Sequence, residues 1–476
     1  MSSDHGRRIH AAAFAGLLLA ATTILVNVIL LRWTLQHLTK SEAGLWILAM
    51  TLGNYILFFD LGFSPMLSRS IAMTLGRAPR REELEKLGDQ VATVRWTVRS
   101  IAAAIFVLLT PFIILYEREF IFPWFIFTAG AAFNLVGGVN LALLNGLSHV
   151  ATERILRILA QVLLLVFSGI ALRLDGGLLG LSIAWAAQGI LLRVVAGIFA
   201  TSRLKLGRGR FSRAELRELW GPSLRWSITA LGALLILQSG NPILAVLEGP
   251  SVLPSFESIA KMGSAIMTVG LLFATSSSPV ISGLFAAGRH EEVKRVIFKN
   301  LRLGLCLSVT ASIFLIAFGD DITLIWLGPG VSPGIYARAM LLTMAVLEVH
   351  HVIWASAVIA TGPVPFAPWA IAAGVLNIAL GFLLVPQFGL LGMAAATLLA
   401  QLVTNNWYAP QFAMRHFAIS LREYFTQELI SVLLITLASG VVAYIVFRIQ
   451  LSHVLLSCAL YTALIAPGLV WIARKK

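Results

Sequence analysis

Long apolar runs alternate with short polar interruptions along the whole chain. Stretches of about 20 apolar residues recur, each long enough to cross a hydrocarbon core as a helix. The pattern predicts an all-α integral membrane protein with about 14 transmembrane helices. They are expected at 10–34, 44–75, 96–116, 120–146, 154–174, 178–200, 222–247, 255–280, 301–326, 335–360, 366–386, 389–412, 426–448 and 452–473. The first run, "RRIHAAAFAGLLLAATTILVNVILL", is longer than the core of a secretory signal and lacks a clear cleavage site. It reads as the first span, anchored by Arg7 and Arg8.

The second run departs from the pattern. In "FFDLGFSPMLSRSIA" (58–72) an aspartate and an arginine fall inside the span, with Gly62 and Pro65 between them. Proline removes a backbone donor and clashes with the preceding turn, so this helix is expected to bend. After it, Leu84, Leu87, Val91, Val94 and Val98 keep the three- and four-residue spacing of an apolar helix face. They predict either an interfacial helix or a cytoplasmic extension of the third span.

Several signals recur 212 residues apart. "GLLG" stands at 177–180 and 389–392, and "GR" at 76–77 and 288–289, each "GR" soon followed by two glutamates. Six spans per repeat would give two parallel six-helix lobes. The expected division is an N-terminal lobe (1–201), a basic cytoplasmic linker (202–220), a C-terminal lobe (221–414) and two additional helices (415–476).

Composition agrees. The chain is 58% hydrophobic and 12% charged, with a mean hydropathy of +0.87, against about 25% charged residues in soluble domains. Its formal charge of +14 would suggest nucleic acid in a soluble protein. Here it follows from topology, because Lys and Arg collect in cytoplasmic loops. With both termini inside, Arg32, Lys40, Arg118, Arg173, Lys261, Arg338 and Arg448 fall outside, Arg193 and Arg225 are ambiguous, and the rest of the 36 lie inside. Cys306 and Cys458 sit in apolar runs and read as packing residues.

Intramembrane ionisable groups are expensive and mark function by default. Asp60, near mid-span, is expected to be interior or paired. Arg69 lies near the cytoplasmic end and reads equally as functional or as snorkelling. Glu257 and Lys261 have the favourable i,i+4 order for a helical ion pair. Lys261 is the first candidate for contact with an anionic substrate, followed by Arg32, Arg225 and Arg338. In "EVHH", Glu348 reads as a coupling acid or an interhelical contact. His350 and His351 diverge too far on a helix to share a metal readily. No phosphate loop or nucleophile elbow is present, no cofactor is implied, and Asp320-Asp321 reads as a solvated turn.

"EAGLWILAMTLGNYILFFDLGFSPMLSRSIA" (42–72), "SPVISGLFAAGRHEEVKRV" (278–296), "LIWLGPG" (324–330), "ATG" (360–362) and "VPQFGLLGMAAATLLAQL" (385–402) are similar in order and spacing to one family. It comprises the polysaccharide exporters and O-antigen-type lipid-linked oligosaccharide flippases of the multidrug/oligosaccharidyl-lipid/polysaccharide exporter superfamily. The resemblance covers about residues 10–415. It implies two lobes around a central cavity, and flipping of undecaprenyl-diphosphate-linked glycans across the bacterial inner membrane by alternating access. The partners implied are that glycan substrate, membrane lipids and polysaccharide-assembly proteins, with no nucleic acid and no catalysis. A drug/cation antiporter or a peptidoglycan-precursor flippase of the same fold is the alternative. A membrane glycosyltransferase or polymerase would need an outer loop that this chain lacks.

Overall fold

The computed structural model describes residues 2–75, 80–116, 120–203, 209–449 and 454–474. The described chain divides into two compact units, Met1–Leu231 and Gly232–Lys476.

The first unit contains α1 (Ser2–His37), α2 (Lys40–Phe58), α3 (Phe63–Leu75), α4 (Arg81–Tyr116), α5 (Ile121–Gly146), α6 (Val150–Arg173), α7 (Gly177–Arg203) and most of α8 (Arg213–Gln238). The start of α2 is fixed by a capping box: the Glu42 amide donates to Thr39 Oγ1 at 3.2 Å, and the Thr39 amide donates to Glu42 Oε2 at 2.9 Å. The second span is broken where Gly62 and Pro65 predict a bend, and α2 and α3 meet at 46°. Leu61 and Gly62 both have positive φ there. A Cβ on Gly62 would lie 2.6 Å from the Ser223 carbonyl oxygen, so glycine is required both by conformation and by close approach to α8.

The apolar stripe on α4 is a continuous extension of a span, since α4 runs unbroken for 36 residues. Leu87, Val91, Val94 and Val98 pack against Phe63, Leu67 and Ile71 of α3. A second cluster stacks Phe127 on Trp185, ring centroids 5.5 Å apart, with Trp46 edge-on at 5.8 Å. Helices α5 and α7 approach closely at Gly130, where a Cβ would meet the backbone of Ala186 at 2.7 Å. Small residues at such contacts are how membrane helices gain packing without a hydrophobic drive.

The second unit takes the end of α8, then α9 (Gly240–Leu247), α10 (Leu253–Gly270), α11 (Leu272–Ala286), α12 (His290–Leu327), α13 (Ile335–Ala360), α14 (Ala367–Val403), α15 (Asn405–His416), α16 (Leu421–Tyr424), α17 (Ile430–Ile449) and α18 (Val454–Arg474). Its main core gathers α11, α12, α13 and α15 around Trp354, Phe298 and Ile297. The last two helices pack on α12 through Phe318, Ile435, Ala443 and Tyr461, and Tyr461 donates to the Thr310 carbonyl at 3.0 Å. A π turn at Phe425–Leu429 turns Glu428 inward. There its carboxylate takes Arg302 Nη2 at 2.8 Å, deep in the unit.

At the offset seen in the sequence, Lys40–Phe58 and Leu253–Gly270 are both helical, and Gly177 and Gly389 both have positive φ, at 55° and 54°. Among the described residues ten helices are long and apolar enough to cross, or up to twelve if each bent pair is one span. The stretch Ala367–Val403 is two helices that meet at a sharp kink at Gly389 (φ 54°, ψ −133°), where the boundary between 366–386 and 389–412 is expected.

Candidate functional site

The first unit holds a cavity of about 490 Å³, in the range of small-molecule sites. Its walls are the α2–α3 break (Leu57, Asp60, Ser64, Pro65, Ser68), α5 (Asn134, Leu135, Gly138, Leu141, Ala142, Asn145), α6 (Glu153, Arg157) and Leu192 of α7.

Local backbone chemistry explains how Asp60 comes to line it. The break leaves the first amides of α3 without helical partners, and the Asp60 carboxylate satisfies one of them. Ser64 donates to it twice, from its amide to Oδ2 at 2.9 Å and from its hydroxyl to Oδ1 at 2.8 Å. Asp60 is thus both the cap of the second half-helix and a wall of the cavity. Across from it, Glu153 and Arg157 stand one turn apart on α6 and form an ion pair. Glu153 is buried while half of the Arg157 side chain is exposed. The Asn134 amide donates to the Gly130 carbonyl at 3.1 Å. Gly189 of α7 leaves it room, because a Cβ there would lie 2.5 Å from Asn134 Nδ2.

The five cations singled out in the sequence do not line this cavity. Arg32, Arg69 and Arg225 are exposed on α1, α3 and α8. Lys261 Nζ meets Glu257 Oε1 at 2.8 Å, and Glu257 also accepts from Asn241 Nδ2 at 3.1 Å. The bond from Asn241 to Glu257 links α9 to α10. Arg338 corrects the expectation of a cavity cation. Its side chain is 1% exposed and donates to both oxygens of Asp320, at 2.7 and 2.9 Å, and to the Ile316 carbonyl at 3.2 Å. A buried guanidinium needs this fork of acceptors. Asp320 accordingly belongs to α12 and to an ion pair, and is not the solvated turn expected.

Glu348 accepts from Gln401 Nε2 at 2.8 Å, an interhelical contact between α13 and α14. The adjacent histidines diverge: His350 Nε2 meets the Tyr424 hydroxyl at 2.8 Å, and His351 Nδ1 the Asn405 carbonyl at 3.1 Å. No group of three or more His, Cys, Asp or Glu among the described residues is placed to hold a metal ion.

Sequence reasoning overlooked Glu153 and Arg157, because their position after a short break reads as cytoplasmic anchoring. Their i,i+4 spacing in an otherwise apolar run was the available signal.

Fold and cavity together define a multi-span, all-helical membrane protein with a polar cavity inside one unit. The fold is that of known transporters. The structure superposes on the lipid II flippase MurJ in an inward closed conformation with a TM-score of 0.74 at 12% identity, covering 97% of this chain and 98% of that one. It also superposes on the inward-facing conformation of a multidrug resistance MATE family transporter of the MOP superfamily, with a TM-score of 0.65 at 14% identity, covering 85% and 98%. In sequence, 240 residues, 49% of this chain, are 22% identical to the "Probable low-salt glycan biosynthesis flippase Agl15" of Haloferax volcanii. The match spans about half (51%) the length of that curated relative. No family model matches the chain.

Proposed function

We propose that this protein is a flippase that carries a lipid-linked saccharide, of the polyprenyl-diphosphate class, from the cytoplasmic to the outer leaflet of a bacterial inner membrane. The observation that carries the reading is the extent of the fold likeness. It runs over 97% of the chain for the lipid II flippase and over 85% for the multidrug transporter. The sequence match to a glycan-biosynthesis flippase supports the same class. The excess of Lys and Arg in the segments assigned to the cytoplasm supports inward termini.

In this mechanism the headgroup enters the protein while the polyprenyl tail stays in lipid. The cations proposed to meet the diphosphate at successive stages are Arg32, Arg69 and Arg225 of the first unit and Lys261 of the second, with Arg338 serving structure. Rearrangement of the helices then exposes the headgroup outside. Moving an anion outward from a negative interior is favoured by about 2.3 kcal/mol per charge per 100 mV, so membrane potential assists the step. The protein performs no covalent chemistry in this scheme.

A multidrug transporter of the same fold is the second reading, favoured by one observation. The cavity of the first unit carries two carboxylates against one guanidinium, a balance that suits a cation. Proteoliposomes separate the two. The flippase moves a fluorescent undecaprenyl-diphosphate saccharide, and replacing Arg32, Arg69 and Lys261 together with alanine slows it. Unchanged movement in that triple variant contradicts the assigned cations. Export of an organic cation with no movement of the saccharide lipid contradicts the function.

A further inference from the structure

We propose that the cavity between the α2–α3 break, α5 and α6 is the subsite that reads the sugar, through hydrogen bonds to its hydroxyl groups, and that the diphosphate is held elsewhere. The proposal rests on the flippase reading and specifies which part of the substrate this cavity takes.

Charge excludes the diphosphate first. Asp60 and Glu153 outnumber Arg157, and Arg157 is already paired with Glu153. An anion placed here would face an uncompensated Asp60 carboxylate. The hydrogen-bonding inventory then points to hydroxyls. Each oxygen of Asp60 accepts one bond from Ser64, and a carboxylate has about four acceptor positions, so acceptor capacity remains. Arg157 reaches Glu153 through Nε alone, which leaves the four N–H groups on its terminal nitrogens as donors. Ser68 and Asn145 add groups that both donate and accept. A phosphate only accepts, whereas a sugar hydroxyl does both, and only the second matches a wall of mixed character.

The apolar part of the lining decides against an aromatic or drug-like cation. It consists of leucines, Pro65, Ala142 and Gly138, and none of the lining residues is aromatic. The face of an aromatic ring, the feature that best attracts organic cations, is therefore missing. The polar set is also held in place: Asp60 by two bonds to the next half-helix, and Glu153 by burial beneath Arg157. Fixed polar groups in a cavity this size give orientation and specificity.

The test uses the full chain in lipid nanodiscs, titrated calorimetrically with glucose, galactose, rhamnose, N-acetylglucosamine and inorganic pyrophosphate. Three variants are compared. Asp60→Asn keeps an acceptor for the Ser64 cap and removes the charge. Arg157→Gln removes the donor fork. Gly138→Leu fills the cavity from a position where a Cβ has nothing within 4 Å. Thermal unfolding of each confirms that it is folded. The expected result is binding of at least one sugar, weakened about tenfold or more by each variant, through loss of a charged hydrogen bond in Asp60→Asn and Arg157→Gln and through loss of space in Gly138→Leu, with any pyrophosphate binding unchanged. The proposal is overturned if no sugar binds the wild type, if the variants leave sugar binding unchanged, or if they weaken pyrophosphate instead. Transport is scored separately: failure to move undecaprenyl-diphosphate N-acetylglucosamine while the sugar titration succeeds contradicts the flippase reading and leaves the subsite standing.

Discussion

Asp60 shows how one carboxylate can serve as both the wall of a cavity and the cap of a half-helix. Its position in the middle of an apolar run was plain in the sequence, and so was the bend promised by Gly62 and Pro65. What the one-dimensional pattern did not display is that the carboxylate closes the ladder of α3 through Ser64, four residues on. Arg338, expected as a substrate cation, is instead the buried partner of Asp320. It lies 18 residues from Asp320, across the turn between α12 and α13, and only folding brings the two together. The Glu257–Lys261 pair was legible because both members share one helix face. Three predictions belong at this scale. Gly62→Ala forces both a strained φ of 73° and a clash with the Ser223 carbonyl, and should cost about 1–3 kcal/mol. Gly138→Ala, with open space around its Cβ, should leave the melting temperature in detergent unchanged. Replacing Arg302 alone by Met should cost about 3–5 kcal/mol by breaking its buried ion pair with Glu428. The double variant Arg302→Met/Glu428→Leu should recover most of that loss in the same thermal measurement.

Among the elements, the least expected feature is the hold of the 209–218 segment on α4. The sequence showed a basic linker, whose net charge suggested orientation in the membrane. In the structure its acidic and polar groups do the binding. Gln90 donates to Glu215 at 2.8 Å and accepts from Ser70 at 2.6 Å, which joins α3, α4 and α8 in one chain of bonds. The Ser212 amide donates to Thr93 at 2.9 Å and the Arg210 amide to Asp89 at 2.7 Å. Lys86 and Glu218 pair at 2.7 Å, but both are about half exposed. Exposed pairs contribute about 0–1 kcal/mol, whereas a buried hydrogen bond to a charged group contributes about 1.5–3. Glu215→Ala should therefore lower the melting temperature clearly more than Glu218→Ala. Equal effects would show that burial is not what distinguishes the two contacts. The break between 366–386 and 389–412 was legible because glycine marks it: Gly389 has a positive φ, as Gly177 does at the start of α7.

For the whole molecule, the sequence made the membrane class evident, since 12% charged residues in 476 leave no other home for so much apolar surface. Large side chains such as Phe14, Leu108 and Phe122 remain mostly exposed on the helices, as lipid contact requires. The location of the polar cavity was not evident. It needs α2, α3, α5, α6 and α7 folded together, and no linear motif carries that arrangement. The proposed orientation places both termini in the cytoplasm. Tags at either end should thus resist an impermeant label in intact cells and react after permeabilisation, and labelling of either tag in intact cells would contradict that topology. The central claim is transport of a lipid-linked saccharide, and its most direct measurement is purified protein reconstituted in vesicles carrying fluorescent undecaprenyl-diphosphate N-acetylglucosamine. The account predicts that the lipid crosses faster than in protein-free vesicles, and that it crosses more slowly when Asp60 is replaced by Asn. Movement no faster than in protein-free vesicles would contradict it.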